Sequence, residues 1–276
     1  EGSGSTSVDR LDPLKVAQIN GASWTTGITG SALDFDGVDD YVTLPAANVS
    51  SKHLTVTMWL KREGNASFFP GLLMARGPGV ESGLNLGTHG ELRYTWADSL
   101  GSRTFDSGLE APVGQWVLAA MVVEPDRTTL YMGNANGLLE ATHLEAHAAE
   151  NFFSEFHLGH DPDYPNDRYY QGAIDEVRVF HEALSRSQVA RIAQLGGRAE
   201  APLPADGTAG SDTLSQVSWV ADPNALSHNV YLGTDYWTVA LADTSDAEYL
   251  GNTASDNFAL PPLQSDTRYY WRVDSL

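Results

Sequence analysis

The chain has 276 residues, 42% of them hydrophobic and 10% aromatic, enough for one large or two modest cores, which excludes a disordered or fibrous protein. Sixteen Lys plus Arg against 36 Asp plus Glu give a formal charge of −20, which repels phosphate backbones and anionic membrane surfaces and so excludes nucleic-acid binding as a working class. Cys is absent, which excludes disulfides and thiolate metal sites without fixing the compartment, and no apolar run approaches the roughly 18 residues of a membrane helix.

Glu1 to Ser7 is small and polar, without the basic and apolar regions of a signal peptide. Period-two patterns then dominate. His53 to Lys61 sets Leu54, Val56, Met58 and Leu60 on one face and Thr55, Thr57, Trp59 and Lys61 on the other, the signature of a strand. Further strands are predicted at Ser31 to Leu44, Gly71 to Arg76, Gly83 to Leu86, Glu91 to Trp96, Trp116 to Val123, Thr128 to Met132, Phe156 to Gly159 and Gly172 to Phe180. Gly, Pro, Asn and Asp turns separate them, so the fold class is all-β, a sandwich or jelly roll. One short helix follows: Ser185 and Gln188 form a capping box ahead of Val189, Ile192, Ala193 and Leu195, and Gly196 and Gly197 close it. Residues 198–210 are poor in large apolar side chains and carry two prolines and two glycines, which predicts a linker between domains at 1–197 and 211–276. In the second domain Gln216 to Val220, Ser227 to Leu232, Trp237 to Ala242 and Arg268 to Val273 read as strands of a smaller all-β unit.

Ser31 to Pro45 (SALDFDGVDDYVTLP) and Gly172 to Phe180 (GAIDEVRVF) resemble the opening and closing motifs of laminin-G-like domains of the concanavalin A-like superfamily. Leu54 to Lys61 and Trp116 to Gly133 are similar to that family's central strands, and the likeness spans residues 1–197. It implies a concanavalin A-like jelly-roll sandwich, with a first strand expected ahead of Glu1. The second domain resembles a fibronectin type III β-sandwich: Leu263, Thr267, Tyr269 and Val273 have the spacing of its tyrosine corner, and a last strand is expected beyond Leu276.

Asp34, Asp36, Asp39 and Asp40 crowd around Gly37, where carboxylates repel one another unless solvated, hydrogen-bonded or bridged by a cation such as calcium. A plain solvated turn explains them equally well. The family resemblance implies a structural calcium held by a closing-strand carboxylate and oxygens near the first turn, which makes Asp36, Gly37 and Asp175 the metal candidates. The loop His160 to Tyr170 mixes three aspartates with three tyrosines and suits a ligand-binding loop or a solvated connection. It lacks the Gly and Glu positions of an EF-hand. For sugar stacking, Tyr94 and Trp96 are the candidate rings, with Arg93, Asp98 and Asn85 near them, whereas Trp59 and Trp116 are expected in the core. His143 and His147 sit four apart with no third zinc ligand.

The paired-glutamate strand of glucanases, nucleophile elbows, Walker loops and HExxH motifs are missing from the sequence. The expectation is therefore a non-catalytic, secreted or cell-surface binding module for a glycan or an extracellular protein, monomeric as a fragment and without membrane insertion. The competing readings are an adhesion or structural spacer without a tight ligand and, ranked last, a glucanase-type hydrolase.

Overall fold

The computed structural model describes residues 2–9, 12–64, 68–77, 80–98, 101–134, 137–146, 149–152, 155–194, 200–205, 208, 214–220 and 226–275. The chain divides into two units, Glu1–Ala193 and Gln194–Leu276. Among the described residues the first unit is an all-β sandwich of two antiparallel sheets, as expected for a concanavalin A-like jelly roll. An eight-stranded sheet runs Thr6–Val8, Val16–Asn20, Tyr41–Leu44, Phe156–Leu158, Gly71–Gly77, Val80–Leu86, Glu91–Asp98, Gly101–Glu110. The seven-stranded sheet runs Gly137–His143, Arg127–Asn134, Trp116–Glu124, Leu54–Arg62, Gln171–Phe180, Ser31–Asp36, Ser23–Thr26. Ser31 to Leu44 is thus two strands in opposite sheets, parted at the Asp36–Gly37 turn.

The core lies between the sheets. Leu54, Val56, Met58 and Leu60 from one side meet Leu84, Leu86, Leu92, Tyr94 and Trp96 from the other. Each such side chain contributes about 1.5–3 kcal/mol on burial. Trp59 is buried but lies on the outward face of its strand, paired with Leu118 and Asp175, and Trp116 is half-buried. That outward face is covered by the segment leading into the helix Arg186–Gln194. Thr55 Oγ1 donates to the Glu182 carbonyl (2.8 Å) and accepts from Leu184 N–H (2.9 Å), and the helix buries Val189, Ile192 and Ala193. The predicted capping box forms, with Ser185 N–H donating to Gln188 Oε1 (2.8 Å) and Gln188 N–H to Ser185 Oγ (3.3 Å).

The second unit carries two three-stranded sheets, Glu200–Leu203, Gln216–Val220, Asn257–Ala259 and Tyr249–Thr253, His228–Gly233, Tyr270–Ser275. Val217, Trp219, Val230 and Val273 form its core, and Gln264 N–H donates to Tyr269 Oη at 3.0 Å, the tie expected of a tyrosine corner. Two expectations fail here. Glu200–Leu203 is a strand inside the presumed 198–210 linker, where its edge position tolerates Pro202. Trp237 to Ala242 is no strand: Tyr236–Leu241 is helical, because Asp235 Oδ1 caps Thr238 N–H at 2.9 Å.

Candidate functional site

The three residues expected to hold calcium do not converge. Gln171 pairs with Asp36 across the sheet, so Asp175 stands four places further along, about 13 Å away at roughly 3.3 Å per residue. Asp175 instead clamps a neighbouring turn, its carboxylate accepting from Thr29 N–H (3.2 Å) and Glu176 N–H (2.7 Å). Burial raises its pKa, and these backbone donors oppose the rise. Asp36 is used by its own turn: its Oδ1 accepts from Val38 N–H (2.8 Å), while its N–H donates to Asp40 Oδ2 (2.9 Å). Asp36, Asp39 and Asp40 offer carboxylate oxygens within 4.8 Å of one another, a cluster that does not include Asp175.

Tyr94 and Trp96, expected on an exposed face, are 0% and 3% exposed and stack inside the sandwich with ring centroids 4.6 Å apart. The pleat explains this. Leu92, Tyr94 and Trp96 share the inward face, so Arg93 points outward and cannot join the two rings in one site. The side chain of Asp98 lies outside the described residues. Tyr94 and Ser82 both donate hydroxyl hydrogen bonds to the carboxylate of Glu150, which is 4% exposed. Burial pushes Glu150 up to about 7, and the two hydroxyls pull against that shift. His143 stacks on Phe105 at 5.1 Å rather than on a metal partner, and His147 lies outside the described residues.

The outward face of the eight-stranded sheet carries a different constellation. The loop after Phe156–Leu158 folds back over it, and Asp161, 0% exposed, receives both Nε (2.8 Å) and Nη2 (2.6 Å) of Arg76 and Nη1 (3.0 Å) of Arg168. Gly71 permits this approach, since a Cβ there would lie 2.4 Å from the His160 carbonyl carbon. Arg168 then lies 3.2 Å over the Tyr164 ring and 5.7 Å from the Phe69 ring, and Arg93 covers Phe69 at 4.5 Å. Burial lowers the Arg93 pKa, Asp106 and Glu91 oppose this, and the like charge of Arg168 adds to it. Beside Arg93, the buried Asn85 donates to Thr95 Oγ1 at 3.0 Å, while its Oδ1 accepts no hydrogen bond from a described residue. Phe68 and Tyr164 remain 67% and 43% exposed. The patch thus offers the exposed Tyr164 ring and the half-buried Phe69 ring beside two guanidinium groups, with the carboxylates of Asp163 and Asp106 at its rim.

Of the sugar candidates, only Arg93 and Asn85 belong to this patch. The loop of Tyr164 and Arg168 was marked by its tyrosines and aspartates. Phe68 and Phe69 had no spacing signal beyond adjacency.

The fold has relatives of known structure. Domain 4 of AbnA, an extracellular GH43 arabinanase from Geobacillus stearothermophilus solved with arabinotriose, superposes with a TM-score of 0.52 at 24% identity, covering 68% of this chain and 87% of that one. The Trypanosoma rangeli sialidase in complex with the inhibitor DANA gives a TM-score of 0.51 at 17% identity over 69% of this chain, which spans only 31% of the sialidase. No curated protein matches the chain in sequence. Residues 36–190 match the laminin G profile of these lectin-like folds. With more than half its length so matched, the chain belongs to the concanavalin A-like lectin/glucanases superfamily.

Proposed function

We propose that the first unit is a non-catalytic carbohydrate-binding module of an extracellular protein, and that it binds through the Phe69, Arg93, Tyr164 and Arg168 patch. The observation that carries this is the Tyr164 ring, 43% exposed, and the half-buried Phe69 ring, each against a guanidinium group of Arg168 or Arg93 on one sheet face. A pyranose or furanose presents an apolar face to such rings and hydroxyls to guanidinium and carboxylate groups. The buried Asn85 Oδ1 and Arg93 supply an acceptor and a donor within the same face. The arabinotriose held by the AbnA domain supports a sugar ligand for this fold and makes arabinan the first glycan to try. Affinity electrophoresis in arabinan and in a panel of other polysaccharides tests the reading. Retardation of the wild type, lost in Tyr164→Ala at an unchanged melting temperature, is expected. Equal retardation of the variant, or free migration of the wild type in every gel, would overturn it.

A further inference from the structure

His157 and His160 lie at the base of the loop that carries Tyr164 and Arg168, and their imidazoles supply no group to the proposed sugar patch. His157 is the central residue of the Phe156–Leu158 strand, and after Leu158 the chain turns at Gly159, φ 81°, which brings His160 beside it. The two Nδ1 atoms are 3.3 Å apart. Two imidazole nitrogens on one tetrahedral ion, each bonded at about 2.0–2.1 Å, are separated by roughly 3.3 Å. We propose that His157 and His160 form a two-imidazole chelate for a divalent transition-metal ion, bound through both Nδ1 atoms.

The surroundings prepare both rings for that role. His160 Nε2–H donates to the Tyr164 carbonyl at 3.1 Å, which leaves its Nδ1 as a lone pair. An imidazole whose far nitrogen is held by a carbonyl is the arrangement that orients metal-binding histidines. Tyr169 stacks on His160 with ring centroids 4.0 Å apart, and Tyr41 stacks on His157 at 4.8 Å, so neither ring has to be ordered when an ion arrives. Without an ion, His157 Nδ1–H donates to His160 Nδ1. On binding, that proton moves to His157 Nε2 by tautomer exchange, and none is released.

Nitrogen donors select zinc, nickel or copper over calcium and magnesium. Asp161 is not a ligand, because its oxygens are engaged by Arg76 and Arg168. The two imidazoles supply two positions on such an ion, and water would take the others.

Calorimetric titration of the full chain with zinc chloride and with nickel chloride at neutral pH should show one saturable site. It should vanish in His157→Ala and in His160→Ala, and calcium should not compete for it. Should an alanine variant unfold, imidazole nitrogen NMR of the wild type gives the second reading: zinc shifts the His157 and His160 Nδ1 resonances and leaves His160 Nε2 protonated. Absence of saturable binding, binding that survives both substitutions, or zinc-induced shifts confined to other histidines would each overturn the proposal.

Discussion

Glu150 shows how a single buried acid couples the sandwich to pH. Its carboxyl is raised from 4.5 to about 7 by burial, so the folded state holds the proton more tightly than the unfolded chain. The stabilising contribution is complete below about pH 4.5 and is lost as the pH rises through about 7, a total on the order of 3 kcal/mol. Glu150→Gln keeps an acceptor for Tyr94 and Ser82 and cannot ionise. Chemical denaturation of wild type and variant from pH 4 to 8 should therefore give a flatter profile for the glutamine protein, and parallel profiles would contradict the assignment. Trp96 carries a complementary lesson. Because it is stacked on Tyr94 inside the core, Trp96→Ala should cost about 3–5 kcal/mol of stability. A variant that melts like the wild type would show the ring to be exposed after all. The sequence did hold the clue: Leu92, Tyr94 and Trp96 alternate with Arg93 and Thr95, and a polar alternate row marks the solvent side. Reading aromatic rings as exposed because they suit sugars overrode that alternation.

At the scale of elements, the loop from His160 to Tyr170 is a connection made rigid by an internal ion knot. Asp161 is enclosed with Arg76 and Arg168, and the Arg168 carbonyl accepts from Gly71 N–H at 3.0 Å. Removing the carboxylate strands two guanidinium groups, a loss typically of about 3–5 kcal/mol when a buried pair is broken. In Asp161→Ala, limited proteolysis should cut between Pro162 and Arg168 well before the wild type is cut there. Unchanged resistance would show that the loop is held by other contacts. The strands that sequence periodicity revealed are the central ones, whose apolar rows face the core. Gly101–Glu110 and Gly137–His143 escaped notice because they are sheet edges, where half-exposed residues blur the pattern. The helix Tyr236–Leu241 was misread for a related reason: six residues are too few for a 3.6 period to outweigh Trp237, Val239 and Leu241 at alternate places. The patch proposed for sugar binding is assembled from three separate segments, around Phe69, Arg93 and Arg168, and no spacing within one segment announces a contact made by folding.

For the whole molecule, each unit buries its own core, the first between its two large sheets and the second around Val217, Trp219, Val230 and Val273. A unit of that smaller size buries a lower fraction of its surface and gains less stability from doing so. Differential scanning calorimetry should therefore resolve two heat-absorption peaks, the smaller unit melting first, and one cooperative peak would mean that the units unfold together. The jelly-roll class was legible from period-two patterning and the motifs at Ser31 to Pro45 and Gly172 to Phe180. The metal set was not, because Asp36 and Asp175 were matched to a motif while the register between their strands, which separates them, is a property of pairing.

Because the Asp161 knot and the bond from Tyr170 N–H to the Gly159 carbonyl (2.9 Å) close the loop at its base, Asp163 to Asp167 form an exposed tip whose side chains stand clear of the core. Changes in that tip leave the buried core unaltered, while Tyr164 under Arg168 and Asp163 beside Arg76 remain tied to the knot. The surface chemistry of the tip and the packing of the sandwich thus reside in different side chains, so one can vary while the other is kept.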